Sequence, residues 1–382
     1  MKNRIIFGKP DIKSKDIIAV TEVLKGGWIG MGGVTQLLEH AFVKFTGAKY
    51  AVAVSSGSAG LFLSMLACGI GDGDEVITSP LTFPATANEI IHTGAEVRFV
   101  DVDNTGSIDV AKIEQAITSK TKAILPVHLY GKPCDMSAIM KIAKRYKLFV
   151  IEDAAHAFGA VYKNKTIGSI GDATVFSLYA TKNITSAEGG VVTTNNKAIA
   201  DKIRLFRSYG ITKTSWSRFK KKSNIMPYDT LVAGYNFELP DLLSAIALSQ
   251  INSYKKRFAR RRYIWDRYNK AFQGLNIGLP DTFSSDYVHA MHLYTILVDR
   301  KKIGIDRKTF IEKLYSMGVG TGIHFISLHL HSYYKRRYHL DPYDFPNALI
   351  ISNQTLSLPL SSGMSDYEVE KVIKSVRQIC NG

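Results

Sequence analysis

The sequence predicts an α/β protein, with a large domain built on a mainly parallel sheet flanked by helices and a smaller α/β domain at the C-terminal end. Three observations predict it. From Tyr50 onward, short β-rich runs alternate with stretches of helical periodicity, as parallel strands joined by crossover helices require. A chain of 382 residues is long for one domain and comfortable for two. Its apolar content of 46% is that of an ordinary globular protein able to bury a sizeable core.

The elements follow in order. Val34 to Phe45 carries apolar residues at Leu37, Leu38, Ala41, Phe42 and Phe45, a helical stripe ahead of the sheet. Tyr50 to Val54 reads as a buried strand and Ser58 to Cys68 as the apolar helix after it. Glu75 to Thr78 is the second strand, followed by a helix over Ala85 to His92 and a strand over Glu96 to Val100. Lys122 to Val127 and Leu148 to Glu152 are further strands, with a helix from Asp135 to Tyr146 between them. Pro240 to Tyr268 reads as one long helix, with Pro240 tolerated in its first turn. A strand at Leu293 to Val298 and helices at Arg307 to Met317 and Ser365 to Ile379 make up the smaller unit. We place the large domain, with its N-terminal helical arm, at residues 1–255 and the smaller one at 256–382.

Several function classes recede on composition. No apolar run approaches the roughly 18 residues of a membrane span, and Met1 to Gly8 lacks the apolar core and cleavage site of a signal peptide. Cys68, Cys134 and Cys380 lie far apart without CxxC or metal-ligand spacing, so no metal site is expected and a reducing cytoplasm is the simplest location. The balance of 49 basic against 33 acidic residues gives a net charge of +16, concentrated in patches such as Lys213 to Lys222 and Lys255 to Arg262. Such a field suits an anionic partner, a phosphorylated small molecule or nucleic acid, or is simply a solvated surface. Neither patch matches a nucleic-acid-binding motif. The stretch from Thr212 to Pro227 is polar and basic and reads as a loop.

Three polar motifs fall at strand ends or helix starts, where ligands bind in such sheets. Ser55-Ser56-Gly57-Ser58-Ala59 sits between a strand and a helix, where glycine lets an anion approach and the first helical amides face it. It lacks the Gly-Lys-Ser/Thr ending of a P-loop and suits a phosphate monoester, though many such turns hold Ser and Gly for geometry alone. Ile151-Glu152-Asp153-Ala154-Ala155-His156 follows a hydrophobic run. A carboxylate leaving a buried strand is placed to meet a ring nitrogen and favour its protonated form, yet taken alone Asp153 reads better as a turn cap and His156 as a structural histidine. Phe176-Ser177-Leu178-Tyr179-Ala180-Thr181-Lys182-Asn183 sets a lysine in a mostly uncharged stretch before Glu188-Gly189-Gly190. An amine there can form a Schiff base, though a lone lysine is more often a surface charge.

Together these motifs are more specific than any one. A phosphate turn, a strand-end Asp and a Ser-x-x-x-x-Lys element occur in the order of the fold type I pyridoxal-phosphate superfamily. The wording of Thr82-Phe83-Pro84-Ala85-Thr86-Ala87-Asn88, Glu152 to Ala160 and Phe176 to Thr185 resembles the sugar aminotransferases of the DegT/StrS-like family. Gly234-Tyr235-Asn236-Phe237 and Ile323 to His329 extend the resemblance from about Phe7 to the C-terminus. The resemblance implies that Lys182 holds pyridoxal 5'-phosphate as an imine and that Asp153 pairs with its ring nitrogen. It implies His156 on the phenolic-oxygen side and Phe83 stacked on the ring. Gly57, Ser58, Ala59 and Ser177 would surround the phosphate, with Asn236 reaching the phosphate of a neighbouring subunit in a homodimer. Glu238, His324 and Phe325 would face the substrate. The pattern departs from the family at Leu178-Tyr179 (commonly Phe-His), at Ser186-Ala187 (commonly Thr-Gly) and at Glu238, where many members carry Arg.

The implied reaction moves an amino group from glutamate to a nucleotide-linked keto-sugar, with Lys182 as general base and acid. The Gly322-Ile323-His324-Phe325 wording resembles members that aminate C4 of UDP-linked 4-keto-6-deoxy sugars, enzymes of amino-sugar and surface-polysaccharide synthesis. A related sugar dehydratase or lyase is the alternative, but family dehydratases carry histidine at the Schiff-base position. A nucleic-acid-binding regulator is more distant, since it has no need of Phe83, Asp153, Ser177 and Lys182 together. The resemblance thus implies a cytoplasmic enzyme without nucleic-acid or membrane partners.

Overall fold

The computed structural model describes residues 4–213, 216, 227–281 and 284–381. Most of the Thr212 to Pro227 loop and of the Lys213 to Lys222 patch therefore lies outside the described residues.

Among the described residues, nine strands precede residue 195: β1 (Tyr50–Val54), β2 (Glu75–Thr78), β3 (Glu96–Phe99), β4 (Thr121–Ile124), β5 (Phe149–Asp153), β6 (Val161–Tyr162), β7 (Lys165–Thr166), β8 (Ala173–Ser177) and β9 (Gly190–Thr194). Seven of them form one sheet in the order β1-β9-β8-β5-β4-β2-β3. All neighbours are parallel except β9, which runs against both β1 and β8. The expected mainly parallel sheet is present. Sequence periodicity does not pick out β8 and β9 as strands, and the reversed β9 is set by pairing that no local pattern carries.

Alternation along the strands sends side chains to two faces. Val52 and Val54 join one core with Ile151, Val175 and Val192, while Ala51 and Ala53 join another with Val150, Phe176 and Val191. The helix Gly57–Ala67 covers the first face and is apolar nearly all round because it is nearly all buried. A Cβ at Gly60 would stand 2.7 Å from Val175 Cγ1, so glycine sets how closely this helix approaches the sheet. Helices Gly33–Thr46 and Met136–Tyr146 cover the opposite face.

A third core gathers Trp265, Tyr268, Phe272, Tyr294, Phe310 and Val372 around an antiparallel pair, β11 (Tyr294–Leu297) and β12 (Thr355–Leu358). Ile5 packs into it from the other end of the chain. A short strand β10 (Tyr287–Val288) pairs with β6.

Two expectations need correction. Pro240 to Tyr268 is two helices, Asp241–Asn252 and Tyr254–Phe272, with Pro240 just before the first. The break is at Ser253, whose hydroxyl lies 3.3 Å from Ser249 O and 3.1 Å from Gln250 O, competing with the helical backbone. The Lys255 to Arg262 patch is not simply a solvated surface. Arg257 is buried between the carboxylates of Asp11 and Asp16, and Arg261 is buried donating to the carbonyls of Met291, His292 and Leu360.

Candidate active site

The sheet brings its polar ends to one edge. Val54 and Ser177 both pair with Gly190, and Asp153 pairs with Val175, so the termini of β1, β5 and β8 lie side by side with the start of β9. At that edge opens a cavity of about 520 Å3. Its wall contains Gly57, Ser58, Phe83, Asp153, His156, Ser177, Lys182, His324 and Phe325. Residues predicted from segments as far apart as 57 and 325 thus meet in one place. Ala59, Asn236 and Glu238 do not line it. The Ala59 amide donates to Ser56 Oγ at 3.0 Å, closing the N-terminus of the helix Gly57–Ala67. Asn236 lies on the exposed surface.

Each wall residue is held by local chemistry. A Cβ on Gly57 would sit 3.2 Å from that of Ser177, so glycine allows the two phosphate-turn candidates to converge. Ser177 Oγ accepts the Tyr179 amide at 3.3 Å and keeps its own proton free to donate. Consecutive residues on β5 diverge. Glu152 is fully buried, accepting from His128 Nε2, the Gly171 amide and the Thr174 hydroxyl at 2.8, 2.7 and 2.6 Å. Asp153 instead faces the cavity, with Oδ1 accepting the Ala155 amide at 3.1 Å and Oδ2 accepting the Thr86 hydroxyl at 2.8 Å. Because Thr86 spends its single proton on Asp153, the 2.8 Å contact between Thr82 and Thr86 has Thr82 as donor.

Lys182 follows a turn closed by its amide on Tyr179 O. Burial holds its amine down to about pKa 8, with the Asp153 carboxylate pulling the other way. An amine in that range supplies a substantial neutral fraction at neutral to mildly basic pH, the form that attacks a carbonyl. Burial and then the lysine charge push His324 down to about 4. His324 Nδ1 lies 2.8 Å from Ser357 Oγ, and its carbonyl accepts from Tyr130 and Thr355. The Phe325 ring stands 5.8 Å from His156 and 5.9 Å from Phe83. Phe83 is 58% exposed, unusual for so large an apolar ring and suited to covering a flat ligand.

Sequence reasoning missed Thr86, Tyr130, Asn183 and His292. Thr86 lay within a quoted motif, at i+4 from Thr82, but only the tertiary fold places it on Asp153. His292 and Tyr130 carry no motif, and their role comes from which loops pack together.

The cavity meets the chemical requirements of pyridoxal phosphate. Backbone and hydroxyl donors at Gly57, Ser58 and Ser177 suit a phosphate, Asp153 suits a pyridinium, and Lys182 suits an aldehyde. With the sheet, this defines a pyridoxal-phosphate enzyme of fold type I.

Comparison with known proteins narrows the class. Residues 10–377 match the DegT/DnrJ/EryC1/StrS aminotransferase family. The chain is 46% identical to the spore coat polysaccharide biosynthesis protein SpsC of Bacillus subtilis, over 98% of this chain and 97% of that one. The putative sugar aminotransferase Spr1654 of Streptococcus pneumoniae, solved in its PMP form, superposes with a TM-score of 0.92 at 30% identity, covering 99% of each chain. Helicobacter pylori PseC, an aminotransferase involved in pseudoaminic acid biosynthesis, superposes with a TM-score of 0.91 at 28% identity, again over 99% of each. The chain belongs to the DegT/DnrJ/EryC1/StrS aminotransferase family, and pyridoxal phosphate is its cofactor. Among the described residues, no helix is long and apolar enough to cross a membrane.

Proposed function

We propose that this enzyme transfers the amino group of glutamate to a nucleotide-linked keto-sugar, with C4 of a UDP-linked 4-keto-6-deoxy sugar as the favoured acceptor. The observation that carries the reading is the single cavity joining the lowered-pKa amine of Lys182, the Thr86-braced carboxylate of Asp153 and the Gly57–Ser58–Ser177 cradle. Bound there, the cofactor supplies an electron sink that delocalises charge from the carbon losing or gaining a proton. Lys182 holds the cofactor covalently and, once displaced by the donor, carries that proton as base and then acid. Asp153 keeps the ring nitrogen protonated, Gly57, Ser58 and Ser177 anchor the phosphate, and Phe83 covers the ring. His324 and Phe325, which line the same cavity, face the incoming sugar.

The sugar acceptor is supported by relatives whose names concern sugars: SpsC, PseC, and DesI, solved with its TDP-sugar product. The wall itself argues for a second subunit. Its one Lys or Arg among the described residues is Lys182, so a diphosphate must find its cations elsewhere. We therefore place the enzyme as a homodimer whose partner completes the site, with Asn236 and Glu238 serving the partner's cavity and a cytoplasmic location.

The test is turnover of the cofactor-loaded enzyme with glutamate and a panel of UDP-, dTDP- and GDP-linked 3-keto and 4-keto sugars. Formation of 2-oxoglutarate with a 4-keto UDP sugar is expected. Inactivity on every sugar, with release of ammonia from a free amino acid instead, would sink the assignment.

A further inference from the structure

Two imidazoles pack against each other in the cavity wall, their planes inclined at 40°. The rings of His156 and His292 are 4.5 Å apart and 9% and 4% exposed. Their neighbours determine where each carries its proton. A backbone N–H can only donate, and the Tyr130 amide lies 3.2 Å from His156 Nδ1. That nitrogen is therefore a lone pair, and the proton of neutral His156 is on Nε2. Asn183 is oriented by its Nδ2 donating to Ala290 O at 2.7 Å, which leaves Oδ1 as the acceptor facing His292 Nδ1 at 3.1 Å. His292 therefore carries its proton on Nδ1 and a lone pair on Nε2. The two rings hold opposite tautomers.

The arrangement is built at a cost. Tyr130 takes φ 61° and ψ −6°, a left-handed conformation that non-glycine residues adopt at about 1–2 kcal/mol. It is held there by its hydroxyl on His324 O and by its carbonyl, which accepts the Leu293 amide beside His292. Asn183 directly follows Lys182, so one short segment carries both the amine and the group that orients His292. The titratable groups bearing on the pair all disfavour a second proton: Lys182 and His324 on His156, and His156, Lys182, Arg261 and His324 on His292. Burial first, and then these charges, hold both rings well below the ordinary histidine range.

We infer that His292, with Asn183 and the backbone of Tyr130, is a positioning residue that locks His156 as a neutral Nε2–H donor. Its use rests on the cofactor reading above: a ring oxygen carrying negative charge needs a donor there, and the flipped tautomer would present it with a lone pair. His292 contributes through its ring, which Asn183 holds against that of His156 at 4.5 Å.

The test reads the lock both with and without the cofactor. In protein labelled with 15N-histidine, long-range 15N–1H spectra, assigned with His156→Gln and His292→Phe, are expected to show Nε2–H on His156 and Nδ1–H on His292. Nδ1–H or a doubly protonated ring at His156 would overturn the inference, in loaded or stripped protein alike. In the loaded enzyme, His292→Phe keeps a ring in place without its nitrogens. It is expected to raise the pH midpoint of the bound cofactor's visible band by about half to one unit, and Asn183→Ala to move it the same way. An unmoved midpoint with only a lower melting temperature would assign His292 a packing role and refute the lock. A protein that never acquires the visible band would fail the cofactor reading instead, while the spectra of the stripped protein still decide the tautomers.

Discussion

Lys182 illustrates how a residue is made useful by being made uncomfortable. Its folded pKa of about 8 lies below the ordinary 10.5, because burial penalises the ammonium more than Asp153 repays it. Below pH 8 the lysine is charged in both folded and unfolded states, and the fold bears the full penalty. Between 8 and 10.5 the folded protein has lost the proton that the unfolded chain still binds, so the penalty fades as pH rises. Lys182→Met should therefore raise the melting temperature of cofactor-free protein at pH 7, with the gain shrinking toward zero near pH 10.5. An equal gain at both pH values would mean that the charge is not its source. At this scale the site was legible where chemistry is tied to a local motif: Lys182, Asp153, Ser177 and Gly57 all line the cavity. It was not legible for Thr86 or His292, whose partners lie 67 and 109 residues away in the chain. Ala187 shows the converse. It adopts φ 73°, which accounts for glycine being commoner at that place in the family wording.

At the scale of elements, periodicity located strands β1 to β5 and β11 and the helices packed on them, mostly within a residue or two, since a buried run or an amphipathic stripe is a local property. Glu75–Thr78 and Gly33–Thr46 are examples. It passed over helices such as Ser14–Gly26 and Lys197–Arg207. What it could not locate were devices assembled across the chain. The helix Gly33–Thr46 begins at Gly32, which has no side chain with which to cap it. The cap comes from Asp241, at the head of the helix Asp241–Asn252. Its buried carboxylate accepts the amides of Gly32, Val34 and Thr35 at 2.8, 3.0 and 2.8 Å, and the Thr35 hydroxyl at 2.7 Å. One negative charge thus serves the positive ends of two helices. Asp241→Ala should cost about 2–4 kcal/mol in urea unfolding, because it leaves several buried donors unpaired at once, whereas Asp241→Asn should cost about half as much. Equal, small losses for both would reduce this carboxylate to an ordinary surface cap.

For the whole molecule, the question is whether one chain is enough to make a site. The cavity is walled by the chain's own strand ends, yet among the described residues its wall has no side-chain cation to spare for a diphosphate, and Asn236 is exposed and not part of that wall. Exposed Ile17, Ile18, Leu24 and Leu37, on the helices Ser14–Gly26 and Gly33–Thr46, offer the apolar area that a second copy would cover. A shared site makes a quantitative demand that separate sites do not. Lys182→Ala leaves a chain without its nucleophile but with Asn236 to lend, and Asn236→Ala leaves the reverse. Unfolded together in equal amounts and refolded, half of the dimers are mixed, and each mixed dimer contains one site in which both residues are native. About a quarter of wild-type activity should return where each variant alone is nearly inactive. Sites confined to single chains would return only the average of the two variants, and that outcome would remove Asn236 from the partner's cavity and with it the argument that the dimer is the catalytic unit.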